Sequence, residues 1–295
     1  MVWPHPITGD SFDSPVPPGT GWPGDPATAS TAVARSAGGV RRLAARAELA
    51  DLEARVSVCR ACPRLVAWRE QVARDKRASY AHEPYWGRPA PGWGDPQPAI
   101  LLVGLAPAAN GANRTGRVFT GDPSGDWLFA SLHRTGLAVQ DRSDHAGDGQ
   151  RLVGARMVAA VRCAPPDNRP TVAEKQTCRP WVAREVVLLR ESIRVVVALG
   201  AIGWEAAMES LAAAGFDVPR PRPGFGHGVE ARLARPDGSD VIVLGCYHPS
   251  PRNTATGRLS AQQTDAVFER ALALVRAPQR TPAGEAGLNA DTMTP

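Results

Sequence analysis

Lysine is almost missing from this chain: of 34 basic residues only Lys76 and Lys175 are lysines. An arginine-dominated balance of this kind is common in GC-rich genomes and by itself points to no function. No apolar run approaches the roughly 18 residues of a membrane helix. No basic stretch followed by an apolar one lies near Met1, so neither an export signal nor a membrane partner is expected and a cytoplasmic location is. No glycine-rich loop is followed by Lys-Ser or Lys-Thr, which excludes a Walker phosphate loop. Cysteine is sparse, with five residues in 295.

What is present suits a sizeable globular core. Hydrophobic residues make up 43% of the chain, and basic residues exceed acidic ones by 34 to 29, for a net charge of +5 and a pI near 9.2. That modest excess favours an anionic partner such as nucleic acid. Residues 1–45 and 277–295 are rich in Pro, Gly, Ser, Thr and Ala with little apolar periodicity, and read as a disordered N-terminal extension and a disordered tail. The folded domain is expected over 46–276.

Within it, four short apolar runs at Ala99–Val103, Ala155–Val161, Ile193–Leu199 and Val241–Leu244 lack alternation, as strands buried on both faces do. Helical patterns separate them. Thr171 with Glu174 three residues on forms a capping box that starts a helix running to about Glu191, and a last helix is expected from about Ser260 to Arg276. Strands alternating with helices imply parallel βαβ units, hence an α/β fold: a three-layer α/β/α sandwich with a central four-stranded parallel sheet. Every strand then empties its loop toward one edge, where open α/β sheets bind ligands.

Those loops carry the chemistry. The first, GLAPAANGANRTGRVFTGD, is long and rich in Gly, Pro, Asn and Thr; Gly104, Gly111, Gly116 and Gly121 permit close approach to a ligand, Asn113, Arg114 and Thr115 suit phosphates, and Phe119 and Asp122 adjoin a new helix. The second is CAPPDNRPT, with Asn168. The third holds His248 between Tyr247 and Pro249, followed by Asn253, and converges on the same edge as Asp122 and Asn168. Cys59 and Cys62 form a CxxC pair, while Cys163 and Cys178 are fourteen residues apart. Four single thiolates from scattered loops lean toward a [4Fe–4S] cluster, with zinc and unrelated buried thiols as the alternatives. Cys246, at a strand end, reads as a core thiol.

Taken together in this order, GLAPAANGANRTGRVFTGD, CAPPDNRPT, the four cysteines and HPSPRNTATGRL closely resemble the uracil-DNA glycosylase superfamily, specifically its family 5, the type-b enzymes, over about residues 48–276. The resemblance implies an α/β/α domain with a [4Fe–4S] cluster held by Cys59, Cys62, Cys163 and Cys178. It implies a monofunctional glycosylase of base excision repair that flips a damaged nucleotide out of double-stranded DNA and hydrolyses its N-glycosidic bond; a monomer is expected. By position, Phe119 would stack on the flipped base, Asn168 would bond its polar edge, and His248 would stabilise charge on the departing base. The polar catalyst that other families carry two residues after the loop start is replaced here by Leu105 and Ala106 after Gly104. That leaves Asp122 for the sugar side, with Asn253 assisting. Arg252 and the loop through Arg258 would enter the DNA groove, and Arg114 and Arg117 would hold phosphates.

Glycosylases strict for uracil set a bulky aromatic against C5 of the pyrimidine. The corresponding stretch here, Ala106-Pro107-Ala108-Ala109, offers only small side chains, so a wide pocket accepting uracil, hypoxanthine and other deaminated bases is expected. Two further readings stand beside this one: a non-catalytic zinc-containing nucleic-acid-binding module, and an iron–sulfur nucleotide hydrolase.

Overall fold

The computed structural model of the chain describes residues 2–235 and 237–278. A two-stranded ribbon, β1 (Trp3–Pro4) and β2 (Ser11–Phe12), precedes three helices, α1 (Ala37–Ala45), α2 (Leu49–Ser57) and α3 (Pro63–Asp75). The central part runs β3 (Trp93–Gly94), β4 (Ile100–Gly104), α4 (Ala112–Thr115), α5 (Pro123–Arg134), β5 (Ala155–Ala159) and α6 (Val172–Leu189). The rest is β6 (Val195–Leu199), α7 (Ala201–Ala213), β7 (Glu230–Ala234), β8 (Asp240–Cys246), α8 (Pro251–Ala255) and α9 (Ala261–Arg276).

The four apolar runs become β5, β4, β6 and β8, mutually parallel and adjacent in that order. Alternate side chains of one strand serve opposite layers. Ile100 and Leu102 pack with Leu128, Phe129 and Phe268 of α5 and α9, whereas Leu101 and Val103 pack with Val182, Val186, Trp204 and Leu211 of α6 and α7. This makes the chain a three-layer α/β/α sandwich. The sheet has six strands rather than the expected four, because β3 and β7 add antiparallel edges. Those edges lack continuous apolar runs: β3 is two residues in a Pro/Gly-rich stretch, and β7 alternates exposed and buried positions, as a strand with one wet face does. The capping box forms as expected: Thr171 Oγ1 accepts from the Glu174 amide at 3.2 Å, and Glu174 Oε2 accepts from the Thr171 amide at 2.7 Å.

The N-terminal 45 residues are not the disordered extension that their composition suggests. Phe12, Val16 and Trp22 are buried with Trp86 and Ala146, and α1 joins α2, α3 and α6 in a further core that includes Trp181. Few of these residues sit in regular structure, so the segment shows no apolar period; its polar groups find partners distant in sequence instead. Ser14 Oγ donates to the Ala73 carbonyl at 2.7 Å and accepts from the Tyr85 amide at 3.0 Å. Arg88 forks onto Asp25 at 2.8 and 3.0 Å. The tail expected from residue 277 lies, from 279 onward, outside the described residues.

The Arg88–Asp25 pair tests this placement. Both side chains are buried, so Asp25→Ala leaves an uncompensated guanidinium inside and should cost about 3–5 kcal/mol. The melting temperature should fall by roughly 10 °C. An unchanged thermal transition would show that the N-terminal strap does not pack on Arg88.

Candidate active site

At the carboxyl edge of the sheet lies a cavity of about 300 Å³. One wall is the turn Ala108–Gly111, a second the loop Gly121–Pro123, and a third Pro165, Asp167 and Asn168; the fourth comes from Trp68 on α3 and from Arg77 and Tyr80 just beyond it. The Ala108 carbonyl accepts from the amides of Gly111 and Asn113, at 3.2 and 3.1 Å, turning the chain into α4. Gly111 is required there, since any Cβ would collide with Asp122 Oδ2. The other oxygen, Asp122 Oδ1, caps α5 by accepting from the amides of Ser124 and Gly125 at 2.9 and 3.1 Å. Burial pushes the Asp122 carboxyl above its ordinary value, against the pull of those two amides.

Asn168 and its neighbour Asp167 both adopt left-handed backbone, with φ of 55° and 53°. Asn and Asp tolerate that region better than other side chains. The Asn168 amide is exposed, with no hydrogen-bond partner among the described residues, so both of its polar atoms are available to a ligand. Arg64 of α3 secures this loop, forking onto Glu174 at 2.8 Å and donating to the Arg169 carbonyl at 3.1 Å.

Phe119 and His248 are not among the residues lining that cavity; they form a pair beside it, with ring centroids 5.9 Å apart. Phe119 is also left-handed, at φ 55°. Its ring lies over the end of β4, where a Cβ on Gly104 would approach Cε2 and Cζ to 2.7 Å. Burial alone lowers the His248 pKa from 6.5 to about 4, so the imidazole is neutral at pH 7 and presents one N–H donor. The loop that holds it is braced twice: Asn253 Nδ2 donates to the His248 carbonyl at 2.8 Å, and His227 Nδ1 accepts from the Tyr247 amide at 3.1 Å. Asn253 therefore positions His248, and its amide nitrogen is already engaged.

The arginines divide. Arg114 and Arg117, expected to hold phosphates, are turned inward. Arg114 is buried, donating to Glu83 at 2.6 Å and to the Gly121 carbonyl at 3.0 Å, and its guanidinium stacks 4.0 Å over the Tyr80 ring. Arg117 donates to Asp148 at 2.6 Å and to Ser143 at 2.8 Å. Both brace the loop. Charge content alone could not reveal this, because their acidic partners lie 31 residues away in each case. Arg252 and Arg258 are exposed, Arg258 lying 4.5 Å from the Tyr247 ring centroid. Sequence reasoning missed Trp68, Arg77 and Tyr80, which stand in and after a helix with no local motif.

Cys59, Cys62, Cys163 and Cys178 line one recess together with Leu65, Arg162 and Trp181, and all are free thiols. Arg69 donates to Cys163 Sγ at 3.0 Å, and the Arg162 amide to Cys178 Sγ at 3.3 Å. Buried donors remain there without acceptors: Arg69 Nε, Arg162 Nε and Nη1, and Trp181 Nε1. Among the described residues no group of three or more His, Cys, Asp or Glu side chains is set to hold a single metal ion. Cys246 is buried at the end of β8, apart from this set.

A sheet of this order with this pocket at its carboxyl edge defines a class. Residues 91–275 match the model of the uracil DNA glycosylase superfamily, and the chain belongs to that superfamily. Curated relatives that it matches over most of their length are type-5 uracil-DNA glycosylases. One from Mycobacterium bovis is 54% identical over 268 residues, covering 90% of this chain and 97% of the relative. One from Thermus thermophilus is 49% identical over 207 residues, covering 70% and 89%, and one from Pyrobaculum aerophilum 41% identical over 223, covering 76% and 92%. Among the described residues no helix is long and apolar enough to cross a membrane.

Buried histidines make stability fall on the acid side. Burial, the larger influence in each case, lowers His5 to about 4 and His145 to about 3, alongside His248 at about 4. The unfolded chain binds protons at these sites near pH 6.5, while the folded chain does not until pH reaches about 4. Stability is therefore full above about pH 6.5 and declines as pH drops toward 4. His248→Asn should flatten that decline when melting temperature is measured against pH; an unaltered slope would mean that His248 is not held neutral.

Proposed function

We propose that this chain is a uracil-DNA glycosylase that flips a damaged nucleotide from double-stranded DNA and hydrolyses its N-glycosidic bond, as a monomer serving base excision repair. The observation that carries the reading is the convergence of Asp122, Asn168 and small Ala108 and Ala109 on one cavity, beside the Phe119–His248 pair, in a chain of this superfamily.

The geometry supports a division of labour. Cleavage leaves negative charge on the base and positive charge on the sugar. A neutral His248 donates a hydrogen bond to the base oxygen as charge develops there; desolvation strengthens that bond, and no proton need be transferred. Asn168, with its amide free, addresses the polar edge of the base, and Phe119 offers its ring for stacking. Asp122 keeps Oδ2 on the cavity wall and supplies negative charge toward the sugar. Arg252 and Arg258 extend from the His248 loop toward the groove that the base has left.

The thiol recess fits a [4Fe–4S] cluster held by Cys59, Cys62, Cys163 and Cys178, and the unpaired buried donors of Arg69, Arg162 and Trp181 suit acceptor sulfurs beyond the four thiolates. Such a cluster would act as a covalent cross-link, tying the N-terminal helices to the loop that carries Asn168. Cys59→Ser should lose the broad visible absorbance of the cluster, thermal stability and activity together. A folded, colourless, fully active Cys59→Ser protein would refute the structural role.

Substrate breadth follows from the small walls. The protein should release uracil from a duplex oligonucleotide but not from dUMP, and should also release hypoxanthine, because a purine fits where no aromatic fills the space beside Ala108 and Ala109. Ala108→Tyr should suppress hypoxanthine release at least tenfold more than uracil release. Uracil release without detectable hypoxanthine release by the unmodified protein would overturn the wide pocket, and base release from dUMP would indicate a nucleotide hydrolase instead.

A further inference from the structure

We propose that Arg77 is a phosphate clamp of the DNA site, holding a phosphodiester beside the flipped nucleotide. The inference rests on the glycosylase reading above. With Arg114 and Arg117 turned inward, Arg77 is the one cationic side chain among the residues that line the cavity of Asp122 and Asn168. It is exposed, and its guanidinium has no hydrogen-bond or ion-pair partner among the described residues, whereas the nearby Arg60, Arg64, Arg88 and Arg114 are all engaged with carboxylates. An arginine left unpaired at a cavity mouth is available for an anion, and its planar fork suits a phosphodiester.

Its backbone is not loose. The Tyr85 hydroxyl accepts from the Arg77 amide at 3.4 Å and donates to Asn110 Oδ1 at 2.9 Å. Arg77 is thereby registered against the Ala108–Gly111 wall. The electrostatics give a direction as well. On the other side of Asp122 the surface opens into a second cavity bordered by Glu83, Asp126 and Asp144, with the buried Arg114 and the paired Arg142 as its cations. Both arginines there are already paired with acids, so that cavity offers a phosphate no free cation, whereas the Asp122–Asn168 cavity sets an unpaired Arg77 beside its two carboxylates, Asp122 and Asp167. The strand is therefore held on the side where Arg77 and Asn168 lie.

Each phosphate neutralised steepens the dependence of log K on log salt by about 0.9 for duplex DNA and about 0.7 for a single strand. Binding of a uracil-containing duplex, read by fluorescence anisotropy against NaCl, should show the slope reduced by about one such unit in Arg77→Gln and restored in Arg77→Lys. The dissociation constant of Arg77→Gln should rise about three- to tenfold at low salt, while single-turnover base release at saturating enzyme stays within twofold of the unmodified protein. An unchanged salt slope overturns the proposal, as does a lower saturating rate with binding intact, which would place Arg77 in the chemistry. Failure of the unmodified protein to release uracil would overturn the glycosylase reading instead; the salt slope reads Arg77 separately.

Discussion

A single buried carboxylate, Glu185, anchors much of this molecule. Its two oxygens accept from Arg156 at 2.7 Å and from Arg162 at 2.5 Å, all three side chains being almost wholly inaccessible. Burial by itself would push the carboxyl up, and the two guanidinium groups outweigh it and hold it down. Such a triad tolerates no half-measures, since losing one member strands charge in a low-dielectric interior. Gly92 leaves the space it occupies, because any side chain there would meet Oε1. Its position explains its reach. Glu185 sits on α6, which begins beside the Asn168 loop and carries Cys178; Arg162 precedes Cys163; Arg156 lies in β5 and also pairs with Glu53 of α2. One ion network thus sets the distance between sheet, thiol recess and site.

Backbone strain is concentrated where ligand contact is expected. The non-glycine residues with positive φ among the described residues are Lys76, Phe119, Asp167 and Asn168. Asp167 and Asn168 line the cavity, Lys76 precedes the lining Arg77, and Phe119 lies three residues before Asp122. Each costs on the order of 1–3 kcal/mol and persists only if the surroundings enforce it. For Phe119 the enforcement is visible: the ring lies over Gly104, and Gly125 allows the Phe119 carbonyl to approach α5. A pocket held this way is organised before substrate arrives, which is the condition for fixed donors to act on developing charge.

How much of this was legible in the sequence depends on whether the causes were local. The four parallel strands were, because burial on both faces forces an uninterrupted apolar run. So was the Thr171–Glu174 cap, whose partners lie three residues apart. The thiols could be grouped by spacing and by the loops they flank. The N-terminal strap was not legible, because its stability comes from side chains such as Trp22 meeting Trp86 and Asp25 meeting Arg88, contacts that leave no period. Asn253 entered as an assisting group through the family resemblance, and its Nδ2 also donates to the His248 carbonyl, a bracing contact that the residue type alone does not announce. Trp68, Arg77 and Tyr80 reach the cavity only through tertiary packing.

The scarcity of lysine acquires a structural meaning once these loops are seen together. Arg88 lies over Trp86 and ends on Asp25, Arg114 lies over Tyr80 and ends on Glu83, and Arg117 lies over Trp93 and ends on Asp148. Each guanidinium stands over an aromatic ring and ends on a carboxylate, a double contact that its planar, delocalised charge and several donors suit better than the compact point charge of an ammonium. These three units brace the chain between residues 80 and 120, where regular structure is scarce and backbone ladders cannot supply rigidity. Arginine therefore does in the loops what strand pairing does in the sheet. Arg77, Arg252 and Arg258 are among the cations that find no carboxylate partner among the described residues, and they stand on the edge that carries the cavity and the His248 loop.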